Sequence, residues 1–333
     1  LKGKKIHPDV SFGVAPGSKQ VLEMIAKNGA LADIVASGAR ILESTCGFCV
    51  GCGQAPRTKS ISLRTNNRNY EGRSGTKDAQ VHLVSAETAV ASALTGKFTD
   101  PRDLGLEVPT ITLPEVYEID DSLIVEPSCD PNHNILRGPN IGEPPSNIAM
   151  PEEIKAKVAI KVGDKITTDH IMPAGPYLKF RSNVPKYSQY TFCNVKPTFS
   201  DECKQNVEEG FFNVIVARES YGQGSSREHA ALCPMYLGVK AVIAKSIERI
   251  HMDNLVNFGI LPLFFVDEAD YDSLNEGDEL VYAANDESFA TGTFTIENKT
   301  QGKTYTLKTP LNERQLLIVR EGGKLNYFRN GGQ

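Results

Sequence analysis

Val21, Leu22 and Ile25 recur at helical spacing just after Pro16-Gly17-Ser18, and Gly29 can stop the helix they predict. Leu31, Ile34 and Val35 predict a second helix. Cys46-Gly47-Phe48-Cys49-Val50-Gly51-Cys52-Gly53 follows, a run too rich in glycine for a helix interior. Val81 to Val84 is a candidate strand, and Ser85 is placed to cap an Ala-rich helix ending near Gly96. This α/β texture extends over residues 1–115. Between 116 and 150 it gives way, because Pro127, Pro131, Pro139, Pro144 and Pro145 interrupt any periodic pattern. That stretch reads as an ordered connection or linker.

From residue 151 onward strands dominate. Val158 to Val162 and Phe212 to Ala217 predict strands, and a glycine-bearing loop follows the second. Arg227 to Leu237 predicts a helix stopped by Gly238. Lys240 to Ala244 is the next strand, and Ser246 to Asn257 the next helix. Loops after the strands of such a βαβ pattern commonly carry function. The tail from Glu279 to Val319 reads mostly as short strands, so residues 151–333 are expected to form one mixed β/α domain.

The chain has 333 residues, enough for two domains. With 23% charged and 40% hydrophobic residues, wholesale disorder is excluded. A net charge of −5 argues against a non-specific nucleic-acid binder. No apolar run reaches the roughly 18 residues a membrane-spanning helix needs. The basic start is followed by His7-Pro8-Asp9 and not by an apolar stretch, so no secretory signal is expected and a cytoplasmic protein is. Three of the seven cysteines fall within seven residues, which suggests metal or redox chemistry in a reducing compartment.

Four segments can carry chemistry. Cys46, Cys49 and Cys52 offer soft thiolates suited to an iron–sulfur centre; the alternative is a reactive pair or small buried residues. Asn67, Arg68 and Arg73 lie in a polar loop where guanidinium groups can grip carboxylates, or can simply face solvent. Thr168-Asp169-His170 can serve acid–base work or cap a helix. Ser225-Ser226-Arg227-Glu228 can be a capping box, or can present a serine to an anion or alkoxide at a helix start. No Gly-Lys-Ser/Thr follows, which excludes a Walker loop, and Gln223 stands where a hydrolase elbow needs glycine.

In this order, Cys46-Gly47-Phe48-Cys49-Val50-Gly51, Asn67-Arg68-Asn69-Tyr70-Glu71-Gly72-Arg73 and Thr168-Asp169-His170-Ile171 resemble motifs of the aconitase superfamily of hydro-lyases. So do Gly175-Pro176-Tyr177-Leu178-Lys179-Phe180-Arg181, Gly222-Gln223-Gly224-Ser225-Ser226-Arg227-Glu228-His229 and Lys245-Ser246-Ile247-Glu248-Arg249-Ile250-His251. The resemblance covers nearly the whole chain. Cys52-Gly53-Gln54-Ala55-Pro56 is closer to the bacterial, Aquifex type than to the mitochondrial type.

The resemblance implies an α/β fold, with residues 1–115 as the end of an α/β/α cluster-binding domain and 151–333 as a swivelling β/β/α domain. It implies the C-terminal half of a longer enzyme, inactive alone, that isomerises citrate to isocitrate through cis-aconitate. Homoaconitase, isopropylmalate isomerase and a 2-methylcitrate-type enzyme are the related alternatives, and a cluster-free RNA-binding form is a rival of another class. Residue by residue, Cys46 and Cys49 match two of three ligands of a [4Fe–4S] cluster. Asn67, Arg68, Arg73, Arg181, Ser226 and Arg227 match substrate-side positions, Asp169 an active-site carboxylate, and Ser225 the base. The implied partners are a tricarboxylic acid and the N-terminal half of the enzyme, with neither membrane nor nucleic acid.

Overall fold

The computed structural model describes residues 1–67, 71–108, 110–113, 115–117, 119–122, 124–130, 132 and 134–333, and the chain divides between His133 and Asn134 into two units.

In the first unit, Ser18 Oγ accepts from the Val21 amide at 3.1 Å and starts the helix Lys19–Lys27. Gly29, with φ +84°, then begins the helix Ala30–Ala36. Two short parallel pairs follow: β1 (Gly13–Val14) with β2 (Arg40–Ile41), and β3 (Ile61–Arg64) with β4 (Gln80–Leu83). Ser85 caps the helix Ala86–Thr95 as its sequence position predicts. The buried apolar side chains of this unit are small ones, Ala39, Cys49, Ala79, Val81, Ala91 and Ala93.

The second unit is a closed barrel. Its strands are β5 (Glu153–Val162), β6 (Phe212–Ala217), β7 (Val239–Ala244), β8 (Leu261–Phe265), β9 (Glu279–Ala283), β10 (Thr293–Asn298) and β11 (Lys303–Lys308), in the order β10-β11-β8-β7-β6-β5-β9. Strands β5 to β8 run parallel, while β9 and β11 join them antiparallel and β10 closes the ring between them. The helices Phe199–Glu208, His229–Tyr236 and Arg249–Asn257 make the crossovers.

Alternation along the strands sorts the core into two sets. Val214, Val216, Ala241, Ile243, Leu263, Tyr282, Ile296 and Leu307 share the barrel interior. Ile215, Ala217, Val242 and Ala244 face the other way and pack with Phe199, Cys203, Ala230, Cys233 and Leu255 from the helices. Each fully buried Val, Leu or Ile contributes about 1.5–3 kcal/mol, so strands apolar on both faces are the main support of the fold.

Two sequence expectations change. The tail is less purely strand than expected: within 279–319 the helices Asp286–Thr291 and Glu313–Arg320 accompany β9 to β11. The 116–150 connection also ends before residue 150. Asn147 donates to the Phe258 carbonyl at 2.9 Å, buried Lys240 donates to Asn147 Oδ1 at 2.8 Å, and the Met150 amide donates to Arg320 at 2.8 Å. These bonds, with the burial of Met150, make the last residues of the connection part of the second unit's packing. Among the described residues no helix is long and apolar enough to cross a membrane.

Candidate functional site

The cysteine segment forms one 3-10 turn, Gly47–Val50, with Cys46 at its cap. Cys49 is buried, whereas Cys46 and Cys52 are exposed, and none of the seven cysteines is in a disulfide. The Cys52 amide donates back to Gly47 O at 2.9 Å. Gly51 has φ +89°, and a Cβ there would stand 2.4 Å from the Ser74 carbonyl. Only glycine lets the cysteine loop lie this close to the backbone that follows Arg73.

Two buried arginines hold the loop. Arg73 Nη2 donates to Cys49 Sγ at 3.5 Å. Arg64, at the end of β3, donates through Nη1 to Phe48 O at 2.6 Å, through Nη2 to Gln54 O at 3.5 Å and through Nε to Ser62 Oγ at 3.0 Å. Burial lowers the Arg64 pKa and the neighbouring Cys49 sulfur works against that. Asn67 is exposed beside this loop in sequence, and Arg68 lies outside the described residues.

A soft thiolate pair three residues apart, one buried beneath a guanidinium donor, suits two ligands of an iron–sulfur cluster. Among the described residues no three His, Cys, Asp or Glu side chains are grouped to hold a metal ion. Cys46 and Cys49 therefore fit a cluster as a partial ligand set, and Cys52 does not complete it.

In the second unit the loops after β5 and β6 meet at the carboxyl ends of the parallel strands. Thr167 and His170 form a reciprocal capping box, at 3.1 and 3.0 Å, around the helical turn Thr168–Ile171 that carries Asp169. The Gly222 and Gln223 amides donate to Ile166 O at 2.8 and 3.1 Å, and the Thr168 amide donates to Gln223 O at 2.9 Å. This short ladder places the Ser225 amide 3.4 Å from Thr168 Oγ1. Arg227 spans the junction. Its Nη2 lies 2.7 Å from Asp169 Oδ1 and 3.4 Å from Thr168 Oγ1, and its Nη1 donates to Met172 O at 3.0 Å.

The capping box read at Ser225 and Glu228 does not form. The helix begins only at His229, and Glu228 makes no side-chain cap. The ladder to residues 166–168 draws Ser225 away from the helix start, so helix-dipole assistance at Ser225 is also removed. Asp169, Ser225 and Arg227 come together. Ser226 and Arg181 are exposed, and Arg181 reaches the group through its carbonyl, which accepts from His229 Nε2 at 2.8 Å.

Beneath this loop His251 is 2% exposed and neither ring nitrogen has a hydrogen-bond partner among the described residues. Its ring crosses Tyr221 edge-on at 5.2 Å, and a Cβ at Gly222 would stand 2.2 Å from it. Burial lowers its pKa to about 4. Arg64, His229 and His251 were not singled out by sequence reasoning. The histidines end recognisable motifs, but Arg64 carries little local signal: apart from Ser62, its partners are backbone carbonyls made available only by the fold.

Two family models match the chain: the aconitase family (aconitate hydratase) over residues 1–96, and the aconitase C-terminal domain over residues 158–268. The two matches fall on the two units and include both loops described above. The chain belongs to the aconitase superfamily.

This aconitase-family chain is 32% identical over 375 residues to a probable mitochondrial aconitate hydratase of Caenorhabditis elegans, covering 99% of this chain and 47% of that protein. It is 28% identical over 384 residues to the mitochondrial homocitrate dehydratase of Saccharomyces cerevisiae, covering 98% and 48%. Against the mitochondrial homoaconitase of Candida parapsilosis it is 31% identical over 291 residues, covering 83% and 40%. The chain thus spans about half the length of the relatives it matches over its whole extent. All three are named as mitochondrial proteins, which lends the cytoplasmic expectation no support.

Proposed function

We propose that this chain is the C-terminal part of a hydro-lyase that isomerises citrate to isocitrate through cis-aconitate, completed by an N-terminal half on the same or a separate polypeptide. The observation that carries this reading is the Arg227 junction, which ties Asp169, Thr168 and the Ser225 loop into one polar cradle. Asp169 orients the guanidinium, and the guanidinium's bond to Met172 O fixes the segment that leads to Arg181. Arg181 and Ser226, both exposed, are left to meet substrate carboxylates. In the first unit the same role is proposed for Asn67 and Arg68, while buried Arg73 is spent on Cys49.

Ser225, as the alkoxide, takes the carbon-bound proton of citrate. The electrons of that C–H bond form the double bond of cis-aconitate as the hydroxyl of the adjacent carbon leaves as water, protonated by an acid that the N-terminal half would supply. Readdition of water in the other sense gives isocitrate. Cys46 and Cys49 would hold a [4Fe–4S] cluster together with a third ligand from outside residues 1–333, and the bound cluster would supply Lewis acidity toward substrate oxygens.

A turnover panel on the complete enzyme tests the substrate. Citrate should be converted faster than homocitrate, isopropylmalate or 2-methylcitrate. Preference for homocitrate would move the protein to the homoaconitase group, and no turnover of any of the four would remove the hydro-lyase reading.

A further inference from the structure

The stretch from Met172 to Arg181 leaves the Thr168–Ile171 turn, passes through the 3-10 segment Gly175–Phe180, and ends at Arg181. Three of its carbonyls are held by side chains from outside it. Arg227 holds Met172 O at 3.0 Å, Tyr187 Oη donates to Pro173 O at 3.0 Å, and His229 Nε2 lies 2.8 Å from Arg181 O. A carbonyl only accepts, so His229 must carry its proton on Nε2. The imidazole is itself wedged. Its ring meets the buried Tyr187 ring at 5.2 Å, and Nδ1 stands 3.4 Å from Glu228 Oε1.

Arg227 and His229 are two residues apart, directly after the Ser225 loop, and they grip the two ends of the same ten-residue stretch. We propose that His229 is a positioning residue which, with Arg227, clamps the 172–181 stretch to the Ser225 loop, so that Arg181 meets the substrate at a fixed reach from Ser225. This rests on the reading of Arg181 as a substrate contact. The clamp works through backbone carbonyls, so it sets where the Arg181 side chain starts and leaves its guanidinium uncommitted to His229. Losing the His229 end leaves the Met172 end in place, and Arg181 then samples more positions.

The test uses the complete enzyme with His229→Ala and His229→Gln, the latter keeping an N–H donor near the Nε2 position. Amide exchange is read at Tyr177, Arg181 and Asn183, whose amides donate within the stretch or just past it to Ala174, Leu178 and Phe180. His229→Ala should speed exchange there and raise the KM for citrate, each by about tenfold, the order expected for one net hydrogen bond. The turnover number should change by less, and His229→Gln should restore both readouts. Unchanged exchange in His229→Ala overturns the proposal. So does a lower melting temperature with unchanged KM, or a raised KM that His229→Gln fails to rescue. If the enzyme turns over none of the four acids, the hydro-lyase reading fails, while exchange still decides whether the clamp exists.

Discussion

The cysteine loop and the Ser225 loop are supported in opposite ways. The Ser225 loop springs from a barrel in which every strand contributes to a buried apolar set, and the loop itself adds only a short ladder and one guanidinium. The cysteine loop has no such base: its unit buries mainly alanines, and the loop is kept in shape by Gly51 lying on the Ser74 backbone and by Arg64 and Arg73. Among the described residues both hydrophobic clusters lie wholly in the second unit. Stability and chemistry should therefore separate cleanly in the second unit, whereas in the first the residues that shape the site are also those that hold it up.

The largest expected effect is on chemistry. Ser225→Ala in the complete enzyme should lower kcat by about 10² to 10⁴. The melting temperature should stay unchanged, because Ser225 caps no helix. An early-melting variant with wild-type turnover per folded molecule would end both the base assignment and the separation.

Next comes acid sensitivity. His251 has a folded pKa of about 4, below its usual value of 6.5. The unfolded chain therefore binds the proton more readily, so the stability contribution is complete above pH 6.5 and is lost as pH falls toward 4. The loss should approach about 3 kcal/mol for the second unit. Urea unfolding across that range should show the slope, and His251→Phe should flatten it; an equal slope in both proteins would assign it to other groups.

Gly51→Ala should cost about 2 kcal/mol through positive φ and the clash with Ser74. Exchange protection over 47–54 should fall while the barrel's protection stays. Arg64→Lys is the mildest, at about 1 kcal/mol, since Lys keeps the charge but cannot bond Phe48 and Gln54 together. If Arg64→Lys disturbed the barrel as well, the two regions would not be independent.

Much of the architecture is legible in the chain. The strand Phe212–Ala217 is found with the bounds its apolar run predicts, and β7 and the helices after β6 and β7 differ by one to three residues. These are segments where period and breakers agree. Ser225 shows where local reading fails. Its spacing to Glu228 satisfies the capping pattern, yet a hydrogen bond to Thr168, 57 positions earlier in the chain, holds Ser225 apart from the helix. Arg64 fails for the same reason in reverse, because nothing near it in sequence announces carbonyl partners at Phe48 and Gln54. Closure of the barrel is not legible locally either, since the pairing of β9 with both β5 and β10 joins segments more than 100 residues apart with those close by.

The closed ring has one further consequence. Because β9 and β10 complete it, every strand of the second unit has a neighbour on both sides, although β8 and β11 meet over only two residue pairs. Extension by a neighbour's strand is therefore disfavoured, and recognition by another body falls chiefly to side chains and loop shape. Contacts of that kind can be made and broken without unzipping a backbone ladder.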